Sequence, residues 1–317
     1  MAHLAGALPS IAPVHRRPRS RLISGVYAPA ASTLPYAVVK SPTGSSYVDP
    51  FVKWAGGKRL LLPQLLEHIE SPAAGATYFE PFLGGGAVFF ALEPASACLS
   101  DAAPELVNAF IAVRDSVDET IGFLHPMRHS KEDYYRIRGM RPRLSASRAA
   151  RFIYLNKTCF NGLYRVNLKG EFNVPFGRHP ETLVICDESQ LRAASNALDN
   201  VRIEVTDFAT PLAKAGEGDV VYCDPPYTVA HSNNGFVEYN AHVFSWADQE
   251  RLAKSAAACV EAGAKVFVSN ADHPSIRELY VPLGFRIEPI SRWTTMAGSS
   301  RKRFQSTELL LIGEVNG

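Results

Sequence analysis

Acidic residues are missing from the first 48 positions of this chain, although the same stretch carries Arg16, Arg17, Arg19, Arg21 and Lys40 among many alanines, serines and prolines. A segment of that composition buries too little apolar surface to order itself, so residues 1–48 are expected to form a disordered basic extension. Three readings of it stand side by side: a solvated tail or misassigned start, an arm that touches DNA phosphates, or an organelle transit peptide, which is Arg-rich, Ser-rich and poor in acid. A secretory signal is disfavoured, because the arginines follow the small apolar stretch instead of preceding it.

Also missing is any apolar run near the ~18 to 20 residues that a membrane-crossing helix needs, so no membrane partner is expected. Cysteine is scarce: Cys98, Cys159, Cys186, Cys223 and Cys259 lie far apart, with no CxxC pair and no histidine spacing suited to zinc. Free buried thiols in a reducing compartment and no metal site are the expectation. Charge is nearly balanced, and a formal net charge of +2 over 317 residues does not by itself announce a nucleic-acid partner, although a local basic patch still can.

With 46% hydrophobic residues, the rest of the chain can build a sizeable core. From Phe51 onward, short apolar runs alternate with helical stretches, which predicts an α/β fold with a mainly parallel sheet covered on both faces. Strands are expected at Thr77–Pro81, Ala97–Asp101, Val201–Thr206, Asp219–Cys223 and Lys265–Ser269. The clearest helix spans about Ser245 to Ala262, opened by a Ser245/Asp248 capping box and closed by Gly263. Residues 113–200 break the alternation with the basic run "MRPRLSASRAARFIY" and then "NKTCFNGLYRVNLKGEFNVPFGRHP", and read as an inserted module between 49–112 and 201–317.

Two stretches carry chemistry. "YFEPFLGGGAVFF" sets a strand, a glycine turn and a helix start in succession, where Gly84 and Gly86 let the backbone approach a ligand. Asp101 ends the next expected strand, where a carboxylate can accept both ribose hydroxyls of a nucleoside cofactor. A dinucleotide site would need a further glycine where Phe89 stands. Glu80 beside the turn repels a pyrophosphate and suits a cationic sulfonium or ammonium group, which favours a phosphate-free nucleoside such as S-adenosyl-L-methionine over NAD. The second stretch is "VVYCDPPY". Asp224 falls at the C-terminal end of a buried strand, Pro225 and Pro226 stiffen the chain beyond it, and Tyr227 adds a flat face, together a clamp for a planar group bearing an amine.

Taken in order, "FVKWAGGKRLLLPQL", "FEPFLGGGAVFF", "NGLYRVNLKGEFNVPFG" and "VVYCDPPY" resemble the Dam-type DNA adenine-N6 methyltransferases, over about Phe51 to Ile312. The resemblance implies a Rossmann-like, S-adenosylmethionine-dependent methyltransferase sheet, interrupted at 113–200 by a mainly helical target-recognition module. It places Trp54, Ala55, Gly56, Gly57 and Lys58 around the cofactor, with Glu80, Phe82, Gly84, Gly86 and Asp101. Asp207 would accept from the cofactor's adenine amine or stand as a surface acid. Asp224 and the Pro225 carbonyl would each accept one N–H of a flipped adenine, with Pro226 and Tyr227 completing the pocket. Cytosine-C5 chemistry would need a Pro-Cys nucleophile, and the chain has no Pro-Cys.

For duplex DNA, the resemblance assigns Lys53, Phe160, Asn161, Leu163, Arg165, Pro175 and Arg178 to base reading and gap filling, while the charge run "SSRKRF" offers Arg301 and Lys302 to phosphates or stands as a solvated face. It further implies GATC as target, action as a monomer, and a cytoplasmic, nucleoid-associated location. The chain departs from the family pattern at Ala102 and Ala103, where an Asn is common, and at Phe160, where a tyrosine is commoner. Two other classes stay open: an RNA or protein amino-methyltransferase, which has no need of the Phe160–Arg178 stretch, and a non-catalytic DNA-binding relative, which would have lost Gly84, Gly86, Asp101 or Asp224.

Overall fold

The computed structural model describes residues 47–167, 169–229, 244–295 and 303–315. Strands form where the apolar runs predict them: β1 (Tyr78–Glu80), β2 (Ala97–Asp101), β3 (Arg202–Val205), β4 (Val220–Cys223) and β5 (Lys265–Ala271). All their mutual pairings are parallel. Two strands absent from the expected set follow, β6 (Arg286–Thr295) and β7 (Arg303–Gly313). Together they form a seven-stranded sheet in the order β3-β2-β1-β4-β5-β7-β6, with β7 antiparallel to both neighbours. β6 carries Pro289 between charged residues, a composition tolerated on the sheet edge it occupies and unlike the apolar runs of the centre.

Helices fill the connections. α1 (Leu62–Leu65) precedes β1, and α2 (Ala87–Leu92) joins β1 to β2. Between β2 and β3 run α3 (Pro104–Asp115), α4 (Val117–Leu124), α5 (Lys131–Gly139), α6 (Ser145–Thr158) and α7 (Glu188–Ala197). α8 (Ala209–Leu212) leads into β4, while α9 (Trp246–Glu261) and α10 (Pro274–Tyr280) flank β5. The α9 N-terminus has the expected capping box, with Ser245 and Asp248 satisfying each other's backbone N–H. Its C-terminus ends at Gly263, whose φ of +96° and contact with Glu217 Cα, 3.0 Å from a would-be Cβ, both demand glycine.

Strand residues alternate between two cores. Tyr78, Leu99, Tyr222 and Phe267 pack with α2, α3 and the buried faces of α4 to α7, while Phe79, Cys98, Val221 and Cys223 pack with α8, α9 and α10. Burial on both faces is what a parallel sheet requires, and it explains why these strands read as continuous apolar runs. The helices between β2 and β3 share one core with β1: α3 packs on β2 and β3, and α6 and α7 pack on α3. Cys98, Cys159, Cys223 and Cys259 are buried free thiols, and Cys186 is half-buried and free. Among the described residues, no helix is long and apolar enough to cross a membrane.

Candidate active site

Strand order reverses between β1 and β4: β2 and β3 lie to one side, and β5, β7 and β6 to the other. Ligands of open α/β sheets bind in the crevice at such a point, beyond the carboxyl ends of the strands. Glu80 ends β1 and Asp224 follows β4 immediately, so both acids lie at the carboxyl ends of these two adjacent strands. Glu80 is buried, and its Oε2 accepts from the Tyr78 hydroxyl at 2.8 Å and from the Phe89 N–H of α2 at 3.1 Å. Burial pushes its carboxyl up to about 8; the Tyr78 bond opposes this, and the negative charges of Asp224 and Asp101 add to it.

The turn after β1 brings the backbone close to Trp54. Gly84 has φ +49°, and a Cβ there would lie 2.8 Å from Trp54 Cδ1. Gly86, at φ +70°, begins α2. Asp101, at the end of β2, accepts from the Gly84 N–H at 3.1 Å through Oδ2 and from the Ala103 N–H at 2.9 Å through Oδ1. Burial raises its pKa against those bonds. Phe82 stacks on Phe208, with centroids 5.4 Å apart, and meets Phe244 edge-on.

Lys58 lies beside the acid of the DPPY segment instead of facing solvent. Its ammonium is 2.7 Å from Asp224 Oδ1 and 3.6 Å from Glu308 Oε2, donates to the Gly56 carbonyl at 3.0 Å, and sits 4.9 Å from the centre of the Tyr227 ring. Tyr227 donates its hydroxyl to Glu308 Oε2 at 2.7 Å. The turn itself is fixed from behind: Gln249 donates to the Pro226 carbonyl at 3.4 Å and accepts from Asn270 at 3.1 Å, while Thr228 donates to the Phe244 carbonyl at 2.6 Å. Pro225 is buried.

Other expected residues have partners that the sequence did not indicate. Asp207 is held in a two-point ion pair with Arg251 at 2.7 and 2.8 Å, which keeps its carboxyl below the usual range, and Arg251 in turn covers the Phe208 ring at 4.2 Å. Trp54 stacks on Tyr164, centroids 5.7 Å apart and planes 23° from parallel, while Ala55 and Gly56 are exposed. The "FNGLYR" segment belongs to an irregular hairpin closed by the bridges Cys159–Phe176 and Val166–Phe172. On it, Phe160 is 39% exposed and Asn161 adopts a left-handed backbone with φ 55°. Leu163 is half-buried, and Arg165, Pro175 and Arg178 are exposed. Arg165 Nε donates to Asn173 Oδ1 at 2.8 Å, and the Phe160 N–H binds the Pro175 carbonyl at 2.9 Å. The exposed Lys53 borders the same hairpin, its Cβ being 2.8 Å from a would-be Cβ on Gly162. Arg301 and Lys302 lie outside the described residues.

The model of the D12 class N6 adenine-specific DNA methyltransferases matches residues 54–296, which span the glycine turn, the hairpin and the DPPY segment. This chain belongs to that family. The methyltransferase is 37% identical over 279 residues to a type II methyltransferase, M1.LlaDCHI, of Lactococcus lactis subsp. cremoris, covering 84% of this chain and 96% of that protein. It is 37% identical to the type II methyltransferase M.MjaIII of Methanocaldococcus jannaschii, over 80% of this chain and 96% of that one. A DNA adenine methylase of Escherichia coli K12 is 32% identical over 83% of this chain and 94% of its own length.

In this adenine-specific DNA methyltransferase, sequence reading missed Glu308, Gln249, Asn270 and Asn156. Glu308 was detectable in principle, as a lone acid opening the apolar run "ELLLI" of β7. Gln249 and Asn270 sit in a helix and a strand whose apolar periodicity absorbs attention, and only the packing of α9 on β5 shows that they touch.

Proposed function

We propose that the protein transfers a methyl group from S-adenosyl-L-methionine to the N6 amine of an adenine flipped out of duplex DNA, at GATC. The observation that carries this reading is the seat at the end of β4. Asp224 accepts an N–H from the Lys58 ammonium at 2.7 Å, with the Tyr227 ring alongside, so the seat already suits a nitrogen donor next to an aromatic face.

The residues present fit the proposed cofactor. Glu80, Asp101 and Asp224 interact electrostatically across the crevice, and Asp224 and Glu308 both act on Tyr227. A cation relieves this concentration of acid, and a pyrophosphate would aggravate it. Gly84 and Gly86 leave room at the turn, and Trp54, Ala55, Gly56 and Phe82 would line the place, with Asp101 taking ribose hydroxyls. When bound, the cofactor supplies a methyl group on a cationic sulfur.

The protein's part follows from charge and position. An exocyclic adenine amine is a poor nucleophile because its lone pair is delocalised into the ring. Asp224 and the Pro225 carbonyl would each accept one of its N–H groups, drawing the nitrogen toward a tetrahedral shape with its lone pair aimed away from them. Positive charge grows on that nitrogen as the N–C bond forms and the methyl–sulfur bond breaks, its electron pair returning to sulfur, and Asp224 stabilises the charge until the surplus proton passes to solvent. Lys58 would offset this benefit, but Glu308 cancels the lysine's charge and keeps the trio net negative. Tyr227, anchored by Glu308, would stack on the flipped base, and Pro226 supports the turn.

Residues 113–200 would form the target-recognition module. Its exposed Phe160 and its Leu163 are suited to fill the gap, and Asn161, Arg165, Pro175, Arg178 and Lys53 to meet base edges and backbone. The enzyme would act as a monomer on cytoplasmic, nucleoid DNA. The deciding experiment is methyl transfer from labelled S-adenosylmethionine to unmethylated duplexes that contain or lack GATC, followed by nucleoside analysis. N6-methyladenine in the GATC duplex alone is the expected result. Label in both duplexes would remove the target assignment, and label in RNA or protein instead of DNA would remove the substrate.

A further inference from the structure

We propose that Asn156 is the positioning residue that couples the cofactor side of the site to the target-reading hairpin, because its side chain ties the main chain of Lys53 to that of Gly162. The inference rests on the function proposed above and concerns how its two binding events communicate.

Asn156 lies in the last turn of α6 and is only 2% exposed. A buried primary amide must satisfy its donors and its acceptor, and asparagine in a helix commonly does so on its own backbone. Here the amide bonds to other segments instead. Oδ1 accepts from the Lys53 N–H at 2.8 Å, and Nδ2 donates to the Lys53 carbonyl at 2.7 Å and to the Gly162 carbonyl at 3.2 Å. Lys53 is therefore held at both of its backbone groups by a residue 103 positions away. The same amide holds the base of the hairpin, three residues beyond its Cys159–Phe176 bridge.

Independent contacts connect the two tied segments. A Cβ on Gly162 would meet Lys53 Cβ at 2.8 Å, so hairpin and loop touch with no slack, and the φ of +65° at Gly162 also favours glycine. One residue beyond Lys53, the Trp54 indole stacks on Tyr164 of the hairpin at 5.7 Å. The other side of this connection reaches the cofactor turn, since Trp54 packs against Gly84, whose N–H is bound by Asp101. A ligand that fills the crevice and fixes Trp54 thereby fixes Lys53, and through Asn156 and Tyr164 it fixes the hairpin. Packed segments of this kind shift between discrete arrangements instead of deforming smoothly.

Coupling of this kind is reciprocal, and it is read as a ratio of affinities. The test measures anisotropy of a labelled GATC duplex on the full-length protein, with and without saturating sinefungin, a non-reactive analogue of the cofactor. The wild-type protein is expected to bind the duplex at least ~5-fold more tightly with the analogue. In Asn156→Ala the ratio should fall toward one while sinefungin alone still binds, which loss of a merely structural contact would not produce. Tyr164→Leu breaks the stack without touching the buried amide, and it decides the matter if Asn156→Ala does not fold. A wild-type ratio of one, or ratios unchanged in the variants, would overturn the inference alone. A wild-type protein that binds neither duplex nor analogue would overturn the function on which it rests, and the inference with it.

Discussion

Lys58 Nζ and Asp224 Oδ1 are 2.7 Å apart in a nearly dry part of the site, with the lysine side chain 4% exposed. Buried ion pairs of this kind carry a desolvation cost that good geometry and further hydrogen bonds must offset. Here the Gly56 carbonyl and Glu308 provide the additional contacts to the ammonium. Asp224→Ala removes the acceptor proposed for the target amine and should lower kcat by at least ~10²-fold, with duplex and cofactor binding still measurable. Turnover close to wild type in that variant would sink the clamp mechanism.

Glu308→Gln keeps an acceptor for the Tyr227 hydroxyl but removes the charge that balances Lys58. The site around the target amine then becomes less negative. We expect kcat to fall by about 10-fold, the equivalent of ~1.5 kcal/mol for a hydrogen bond to a charged acceptor, with little change in KM for the cofactor. A change confined to KM would show that Glu308 serves binding and not the methyl-transfer step.

Glu80 gives the site a pH signature. In the ligand-free protein its carboxyl titrates at about 8, so near neutral pH it is largely protonated, and a cationic ligand beside it favours the ionised form. Affinity for S-adenosylmethionine should rise as pH increases toward 8, with proton release on binding, whereas the neutral-sulfur product S-adenosylhomocysteine should depend less on pH. Calorimetry in buffers of different ionisation enthalpy measures the proton count. Glu80→Gln should abolish the difference between the two ligands. The same group makes the ligand-free fold less stable as pH rises from about 4.5 to about 8, because over that range the unfolded chain has lost a proton that the folded one keeps.

Gly84→Ala tests the turn. Its φ of +49° and the Trp54 indole 2.8 Å from the new methyl group give two separate reasons for strain, together of order ~1–3 kcal/mol. Cofactor affinity should drop and the fluorescence of Trp54 should change, while far-ultraviolet circular dichroism stays that of the wild type. Unaltered affinity would mean that the backbone at Gly84 does not approach the ligand.

Arg165 is exposed, and its guanidinium is oriented by Asn173. Arg165→Ala should cost about 1–3 kcal/mol in discrimination, measured as the ratio of kcat/KM on GATC to that on duplexes with one base pair changed. Equal losses on every duplex would instead identify Arg165 as a backbone contact.

What the sequence determined by itself is the set of features encoded within a few residues of one another. Apolar runs bounded by turn formers placed β1, β2, β4 and β5 to within a residue or two, because strands buried on both faces are largely apolar, while the edge strand β3 showed only the alternation of Ile203 and Val205 with charged residues. The α9 cap was legible because Ser245 and Asp248 satisfy each other across one helical turn. Asp224 was legible as a candidate because it immediately follows a buried strand. Only the tertiary structure decided which distant groups meet. β7 inserts between β5 and β6 and so carries Glu308 to Lys58 and Tyr227 from the far end of the chain. Arg251 claims Asp207, and Asn156 spends its amide on Lys53 and Gly162. No local pattern names such partners, since a hydrogen bond depends on where the packed sheet and helices bring two atoms and not on how the chain is spelled around either of them.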